Sequence, residues 1–377
     1  MSHHTLSKLS YSIGKGLVYG ALPLLSIAPA LIPSPARAEG GWYGEVKTFA
    51  QLPAEPGYPE GIAVHGNRVF VSGAATFGTA GKGPSKIFVY DRDSKVHKTT
   101  IVVMGERLDE EHALSSIAVD GKGRVYALST QLGLIRFTKV GPWYVQERYG
   151  RPLPDLPACV DVSPGTACSP TPFDMPPLPN DIVFDEAGNV YVSDSFQATV
   201  WRYCPGGGRP KIWFQSAALS GEVTQPFGAN GLRLDPQREN VYVSVTFSLQ
   251  DPGLGYIYRI PLVDDPDEAD LEQVHRYEEG AAPDGFAFGS SGKLYVTLAG
   301  ANAISVLDED GNETTRIHSP PGASIPLDAP ANVAFNDAAK TLLIVNHALF
   351  SGEPDHFAVL RVWVGDTADP LEKPWLR

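Results

Sequence analysis

The chain has 377 residues, a formal net charge of −13, 43% hydrophobic residues and only 19% charged residues. Its 38 glycines and 33 prolines fit many short strands joined by tight turns, and they argue against a helical bundle or a disordered chain. The acidic balance disfavours nucleic acid and anionic membranes as partners.

The N-terminal segment has the layout of a secretory signal peptide. Lys8 and Lys15 precede an apolar stretch over residues 17–33, which ends in the small-residue sequence Ala36-Arg37-Ala38. An uncleaved membrane anchor is the alternative, but three prolines interrupt the stretch and it is short for a span. We therefore expect a secreted protein, extracellular or periplasmic, in which residues 1–38 are removed and residues 39–377 form a single domain.

Six short segments repeat one pattern at a spacing of roughly 50 residues. They read EGIAV (60–64), SSIAV (115–119), NDIVF (180–184), NGLRL (230–234), DGFAF (284–288) and ANVAF (331–335). Each precedes a turn rich in Gly, Asp or Asn and then an alternating apolar run such as VYVS, which is typical of a second strand. Two further strands can be traced in each repeat. The pattern predicts an all-β, six-bladed β-propeller with four antiparallel strands per blade.

The sixth repeat reaches the end of the pattern without an outermost strand. A matching segment, GEVKTFAQL (44–52), stands alone before the first repeat. We predict that this N-terminal segment supplies the fourth strand of the last blade, because pairing the two chain ends in one sheet leaves no open edge there.

The longest insertions, residues 72–85, 151–179, 247–254 and 347–357, all fall at the end of the ring where the inner strands begin. Such loops predict the walls of a pocket at that end. Cys159 and Cys168 lie in the proline-rich 151–179 insertion, and in an oxidising compartment they could form a disulfide that leaves Cys204 unpaired.

Four of the six inner strands begin with a carboxylate or amide side chain at the same position: Glu60, Asn180, Asn230 and Asp284. The starts of the inner strands converge on the channel, so the sequence predicts a site for one divalent cation. Two carboxylates and two amides suit Ca²⁺, and the absence of Cys or His at these positions argues against zinc. The alternative is that these residues only satisfy loose backbone groups at strand starts.

The segments PEGIAV, LPNDIVFDEAGNVYVSDS, NGLRLDPQRENVYVS and APDGFAFGSSGKLYVT resemble the regucalcin/gluconolactonase family. More distantly they resemble paraoxonases and the squid-type diisopropylfluorophosphatase. The resemblance extends from about residue 42 to residue 364. It implies a six-bladed propeller that holds calcium or another divalent ion and hydrolyses lactones or, in some relatives, organophosphates.

Residue by residue, the resemblance implies that Glu60, Asn230 and Asp284 are core metal ligands. Asn180 matches an asparagine that is a further ligand or a substrate contact, and Asp284 also matches the carboxylate assigned as base or nucleophile. Ser115 stands where paraoxonases place a catalytic histidine, so a histidine-dyad mechanism is not expected. We predict that Asn180, Ser115 and His347 contact the substrate, although a histidine in a loop is often only hydrogen bonded to its surroundings.

These observations predict a secreted, metal-dependent hydrolase of a lactone or related ester, with Asp284 as general base. The expected partner is a small-molecule substrate, with no nucleic acid or membrane partner, and the expected state is a monomer. Two alternatives remain. One is a propeller that binds a small molecule without hydrolysis, resembling strictosidine-synthase-like or royal-jelly-type proteins. The other is a metal-assisted cyclase or isomerase of secondary metabolism.

Overall fold

The computed structural model describes residues 37–38 and 41–376, which belong to one compact unit. The predicted signal peptide lies outside the described residues except for Arg37 and Ala38, which pair with Gly41 and Trp42. Its cleavage stays a prediction. In the described part of the chain, no helix is long and apolar enough to span a membrane.

Six four-stranded antiparallel sheets, counted within the described residues, form the blades of a ring, and strands A to D run outward in each. Blade one consists of Ile62–His65, Arg68–Gly73, Lys86–Asp91 and His97–Val102, and blade two of Leu114–Val119, Val125–Ser129, Gly133–Val140 and Trp143–Arg148. Blade three consists of Pro179–Phe184, Val190–Asp194, Thr199–Tyr203 and Lys211–Gln215, and blade four of Ala229–Leu234, Asn240–Val245, Gly255–Pro261 and Glu272–Tyr277. Blade five consists of Pro283–Phe288, Leu294–Leu298, Ala303–Leu307 and Glu313–His318, and blade six of Pro330–Asn336, Thr341–Asn346, Ala358–Trp363 and Val46–Gln51. Short 3₁₀ helices lie at Cys159–Asp161, Ala217–Leu219, Glu268–Asp270, Asp337–Ala339 and Pro354–His356.

The predicted six-bladed propeller and its closure are both confirmed. Each strand A contacts strand A of the next blade, and that of blade six contacts that of blade one, so the inner strands form a closed ring. The N-terminal strand Val46–Gln51 pairs antiparallel with Ala358–Trp363 as the outermost strand of blade six. The two ends of the propeller are therefore held in one sheet.

Alternation along the strands explains the packing between blades. The inward residues of strand A, such as Ile182 and Phe286, are buried as expected. The tyrosine of the VYVS-like run packs edge-on against a phenylalanine in strand A of the next blade. The ring centroids are 5.3 Å apart for Tyr126 and Phe184 and 5.0 Å apart for Tyr242 and Phe288. These pairs join successive blades with a geometry that aromatic rings favour.

The predicted disulfide between Cys159 and Cys168 is present, and Cys204 is free and exposed. The proline-rich segment that contains the disulfide is also held to blade three by the buried carboxylate of Asp194. That carboxylate accepts hydrogen bonds from the Leu178 backbone at 2.9 Å and from the side chains of Gln197 and Trp201 at 2.7 and 3.1 Å. Asp194 is thus a structural anchor.

The C-terminal tail, residues 365–376, runs across the end of the channel opposite the predicted site, which sequence analysis did not anticipate. Asp369 and Glu372 pair with Arg238 of blade four at 2.7 and 2.8 Å. Leu376 is buried in the core beside blades two and three. A cavity of about 430 Å³ lies between the tail and the lower parts of the inner strands. The tail therefore covers this end of the channel.

Closure of the ring can be tested at Phe49, which is buried on the N-terminal strand and packs edge-on against Tyr90 of blade one with centroids 6.4 Å apart. Phe49→Ala leaves a cavity between blades six and one and is expected to lower the free energy of unfolding by about 3–5 kcal/mol. Denaturant unfolding measures the change. Lys47→Ala, on the same strand but exposed, should change it by less than about 0.5 kcal/mol. Equal effects of the two substitutions would contradict the closure.

Candidate functional site

The four predicted ligand residues occupy equivalent places in the ring. Glu60, Asn180, Asn230 and Asp284 lie at the start of strand A in blades one, three, four and five, and all are buried. The carboxylate of Glu60 acts electrostatically on Asp284 from blade one to blade five. The two carboxyl groups therefore lie near enough for the charge of Glu60 to raise the pKa of Asp284, and the shared site stays a prediction.

In each of these four blades, a serine or threonine hydroxyl on strand B lies beside the start of strand A. Sequence analysis did not identify these hydroxyl groups. Ser193 accepts a hydrogen bond from Asp181 N at 2.9 Å and donates to Asn230 O of the next blade at 2.5 Å. Ser244 accepts from Gly231 N at 2.8 Å and donates to Asp284 O at 2.7 Å. Ser72 and Thr297 occupy the same place in blades one and five and likewise donate to the next blade. The signal was present in the sequence as the final Ser or Thr of the runs VFVS, VYVS and LYVT.

Within the described residues, the backbone at the start of strand A is irregular in five blades, which include blades three, four and five with Asn180, Asn230 and Asp284. The strand register shifts between Pro179 and Ile182, and it shifts in the same way in blades four and five. Such bulges redirect side chains next to functional sites. Glycine follows the ligand residue where the neighbouring blade is close. A Cβ added at Gly231 would lie 2.6 Å from Asp284 O, so a side chain there would push two blades apart.

The orientation of the Asn230 amide follows from its hydrogen bonds. Thr246 Oγ1 donates to Pro283 O at 3.0 Å, so its oxygen must accept the bond from Asn230 Nδ2 at 2.9 Å. This directs Asn230 Oδ1 the other way, where it is buried without a hydrogen-bond partner among the described residues. A buried acceptor in this state is costly and calls for a cation or a donor.

Asn180 and Ser115 differ in how far their polar groups are engaged. Within the described residues, the Asn180 amide makes no hydrogen bond and keeps both its donor and its acceptor for a ligand. The Ser115 hydroxyl donates to Pro179 O at 2.8 Å. Only its lone pairs are left, so Ser115 could accept a hydrogen bond from a substrate. Both substrate contacts stay predictions.

His347 belongs to the site through Glu60. Its Nε2 lies 2.8 Å from Ala75 O, so Nε2 carries a proton, and its Nδ1 lies 3.1 Å from Glu60 Oε2. Burial lowers the pKa of His347 to about 4, whereas burial and the charge of Asp181 raise the pKa of Glu60 to about 8. In the metal-free protein both shifts favour the uncharged form of each group. The predicted substrate contact of His347 stays untested, but the structure shows it as a partner of Glu60.

Asp284 is the second perturbed carboxyl group. Burial, together with the charges of Glu60 and Asp181, raises the pKa of Asp284 well above its usual range. Two buried carboxylates that repel each other cannot both ionise at low cost unless a positive charge joins them.

A buried ion pair lies among the inner strands and was not predicted. Asp181, the residue after Asn180, accepts hydrogen bonds from Ser116 at 2.5 Å and from Arg233 at 2.7 Å. The other guanidinium nitrogen of Arg233 donates to Asn332 Oδ1 at 3.1 Å. The Arg233 cation thus neutralises Asp181 and links blades three, four and six. The positive charge near the site is already paired and does not neutralise Glu60 or Asp284.

His112, in the loop before strand A of blade two, has a structural role. Its two ring nitrogens lie 2.9 Å from Glu110 O and 3.1 Å from Gly83 O. Although burial opposes it, hydrogen bonds to these carbonyl groups raise the pKa of His112. This histidine holds the loop over residues 72–85 in place.

The residues present fit an oxygen-coordinated divalent cation. Within the described residues, no three His, Cys, Asp or Glu side chains are grouped as a metal cluster, so any cation here must rely on amide oxygens as well. Glu60, Asp284, the unpartnered Asn230 Oδ1 and the Asn180 amide supply such a set, which matches the ligand preference of Ca²⁺. The negative charge of two ionised carboxylates balances the positive charge of a divalent cation.

Comparison with known proteins gives a family and a fold. The family model described as SMP-30/Gluconolactonase/LRE-like region matches residues 118–348, more than half of the chain. No curated protein sequence matches significantly.

Several solved structures share the architecture. Regucalcin from Agrobacterium tumefaciens, described as a calcium-binding protein, has a TM-score of 0.57 at 14% identity, over 88% of this chain and 96% of its own. A gluconolactonase from Xanthomonas campestris has a TM-score of 0.53 at 16% identity, over 84% and 88%. Virginiamycin B lyase from Staphylococcus aureus has a TM-score of 0.51 at 13% identity, over 85% and 99%. At these identities the likeness shows the fold alone.

The role of Thr246 in orienting Asn230 can be tested by Thr246→Val, which keeps the shape but removes the acceptor for Asn230 Nδ2. The amide is then free to turn, and we expect Ca²⁺ affinity to fall by about tenfold or more, as for other groups that orient metal ligands. Calorimetric titration of metal-free protein measures it. The control is Thr314→Val, which removes a hydroxyl bonded to Val306 O at 3.0 Å in blade five. Unchanged affinity in Thr246→Val would show that the hydroxyl does not orient the ligand.

The protonated Glu60 predicts a pH dependence of the metal-free protein. Between pH 4.5 and about 8 the folded protein holds a proton on Glu60 that the unfolded chain releases, so the free energy of unfolding falls as pH rises. Neutral His347 acts in the opposite direction between about 4 and 6.5. The net fall in the free energy of unfolding should therefore appear from pH 6.5 to 8. Loss of the Glu60 proton contributes up to about 1.4 kcal/mol per pH unit to this slope.

Denaturant unfolding in chelator at several pH values measures this slope, and Glu60→Gln should reduce it because glutamine does not titrate. Added Ca²⁺ should reduce it as well, since a bound cation favours the ionised carboxylate. Stability that rises over this window in the metal-free wild type, or an unchanged slope in Glu60→Gln, would show that Glu60 is not the protonated group.

Proposed function

The chain belongs to the SMP-30/gluconolactonase/LRE-like family, and from that membership we propose that it is a secreted, divalent-cation-dependent hydrolase of a lactone or related ester. The observation that carries the proposal is the polar set at the start of the inner strands. Two buried carboxyl groups with raised pKa values and one unpartnered amide oxygen face the same region. Such a set is costly without a cation and is suited to holding one.

Glu60, Asn230 and Asp284 would hold the cation, with Asn180 as a further ligand or a substrate contact. We propose Ca²⁺ because all the donors are oxygens. When bound, the cation would supply Lewis-acid polarisation of the substrate carbonyl and stabilise the negative charge that develops on its oxygen. The Ser193 and Ser244 hydroxyls fix the backbone of Asn230 and Asp284 and so keep these donors in place.

The chemical step requires a base, and we assign this role to Asp284. Burial raises the pKa of Asp284 in the metal-free protein, whereas a bound cation would keep the group ionised, so that its carboxylate would be available to accept a proton. Water attacks the carbonyl carbon of the lactone while the Asp284 carboxylate takes a proton from that water. The bond from that carbon to the ring oxygen then breaks, and the leaving oxygen receives the proton, which gives a hydroxy acid.

Secretion is supported by the N-terminal sequence and by the disulfide between Cys159 and Cys168, since disulfides persist in oxidising compartments. The proposed partner is a small molecule that enters the channel mouth. The same residues would serve a metal-assisted cyclase or isomerase, whose product would have the mass of its substrate, whereas hydrolysis adds one water.

Asp284→Asn tests the proposal, because it keeps the shape of the side chain and an oxygen donor but removes the base. We expect turnover of lactones to fall by about 10²–10⁴, the usual contribution of a general base, with no loss of folding. Chelation of the wild type should abolish turnover and added Ca²⁺ should restore it. Hydroxy acid formation by mass spectrometry is the measurement. The control is Asp355→Asn, an exposed aspartate of a loop at the same end of the ring.

Lactone hydrolysis that survives both Asp284→Asn and chelation would overturn this mechanism. Loss of activity in Asp355→Asn to the same extent would indicate a general effect of removing negative charge.

A further inference from the structure

Three phenylalanine rings from three blades form a cluster at the end of the ring that holds the ligand residues. Phe77 stacks parallel to Phe196 with centroids 6.2 Å apart, and Phe227 packs against Phe77 and Phe196 at 6.3 and 5.6 Å. Phe77 belongs to the 72–85 loop of blade one, Phe196 follows strand B of blade three, and Phe227 precedes strand A of blade four. We call these three rings the aromatic wall.

The aromatic wall lies beside the ligand residues of blades three and four. Phe227 is three residues before Asn230, and its backbone accepts a bond from Phe247 N at 3.0 Å. Phe196 follows Ser195, whose hydroxyl donates to Ala229 O at 2.7 Å, next to Asn230. Since blade one lies opposite blade four in a six-membered ring, Phe77 must extend from its own blade towards the mouth to reach Phe227.

The loop that carries Phe77 is held rigidly over blade two. The carboxylate of Glu111 accepts hydrogen bonds from Gly78 N at 2.9 Å and from the backbone and hydroxyl of Thr79, both at 3.1 Å. The backbone of His112 in turn donates to Thr79 Oγ1 at 2.8 Å. A loop tip that is held by these hydrogen bonds loses little further conformational entropy when a ligand binds against it.

Phe77 nevertheless stays exposed. Its side chain is 60% exposed, whereas Phe196 is buried and Phe227 is half-buried. A rigidly held ring that stacks on one side and is open on the other presents apolar surface beside a polar site, which is the composition of small-molecule pockets. The loop makes this arrangement without covering the ring with its own residues.

We propose that the aromatic wall binds an aryl or alkyl group of the substrate, so that the substrate is an apolar lactone or ester and not a polyhydroxylated sugar lactone. This inference rests on the proposed function, because the carbonyl to be hydrolysed must lie at Glu60 and Asp284 while the apolar group lies against Phe77. Sugar hydroxyls placed against these rings would lose water without gaining hydrogen bonds, which lowers their affinity.

The test compares dihydrocoumarin, an aryl lactone, with D-glucono-δ-lactone in the Ca²⁺-loaded protein, and measures binding of the non-hydrolysable lactam analogue of dihydrocoumarin. The wild type should have a kcat/KM at least about tenfold higher for dihydrocoumarin, the scale on which apolar pockets discriminate. Phe77→Ala should lower this preference by about tenfold and weaken lactam binding to a similar degree.

The control is Trp143→Ala, which removes a ring that is 73% exposed on the outermost strand of blade two, outside the pocket loops and the aromatic wall. It should alter neither the preference nor lactam binding. Glu111→Ala is a second variant that leaves Phe77 in the chain but releases its loop. It should lower the preference in the same direction if the position of the ring matters.

The outcomes separate the two proposals. The aromatic wall is overturned as a substrate site if lactones are hydrolysed without a preference for dihydrocoumarin. The same holds if Phe77→Ala keeps the wild-type preference. In both cases the proposed hydrolase activity stands. Lactam binding that depends on Phe77, with neither lactone hydrolysed, overturns the hydrolase and supports an apolar binding site. Neither binding nor hydrolysis overturns both.

Discussion

The hydrogen bond from a strand-B hydroxyl to the inner strand of the next blade is the interaction on which the site depends. Ser193 and Ser244 each accept from their own strand A and donate to the carbonyl of a ligand residue in the neighbouring blade. The same hydroxyl that satisfies a bulged backbone therefore sets the distance between two blades. The four blades that carry Glu60, Asn180, Asn230 and Asp284 all have this hydroxyl, whereas Leu128 and Val345 occupy the place in the other two. Scaffold and site are thus built by the same bonds.

Charge is distributed unequally within the channel. Arg233 forms an ion pair with Asp181 and also donates a hydrogen bond to Asn332, so the network joins three blades. Such a network is expensive to bury but holds a defined arrangement once every member is paired. Among the described residues, no Lys or Arg pairs with Glu60 or Asp284, and burial raises the pKa values of both groups. The protein has therefore neutralised one of three neighbouring carboxylates with its own chain and kept two whose charge an external cation can balance.

The two ends of the ring also differ from each other in what surrounds the channel. At one end, the C-terminal tail crosses the channel and is fixed by Arg238 and by the buried Leu376. At the other, the long loops stand around the starts of the inner strands, and the exposed ring of Phe77 lies among them. The polar donors and the aromatic wall thus occur together at the loop end. The cavity of about 430 Å³ lies at the other end, lined by the far parts of the inner strands and by charged residues of the tail such as Asp369, Glu372 and Lys373.

Much of the fold was readable from the sequence because it depends on patterns within single repeats. The number of blades, the closing strand Val46–Gln51 and the disulfide all followed from spacing and count, and the common frame of the repeats placed Glu60, Asn180, Asn230 and Asp284 at one end of the ring. Only the tertiary structure decided which way the Asn230 amide points, where Glu60 meets His347, that Arg233 pairs with Asp181, and that Phe77 reaches Phe227. Each of these contacts joins residues from different blades or loops, and no local pattern records how side chains far apart in the chain will meet.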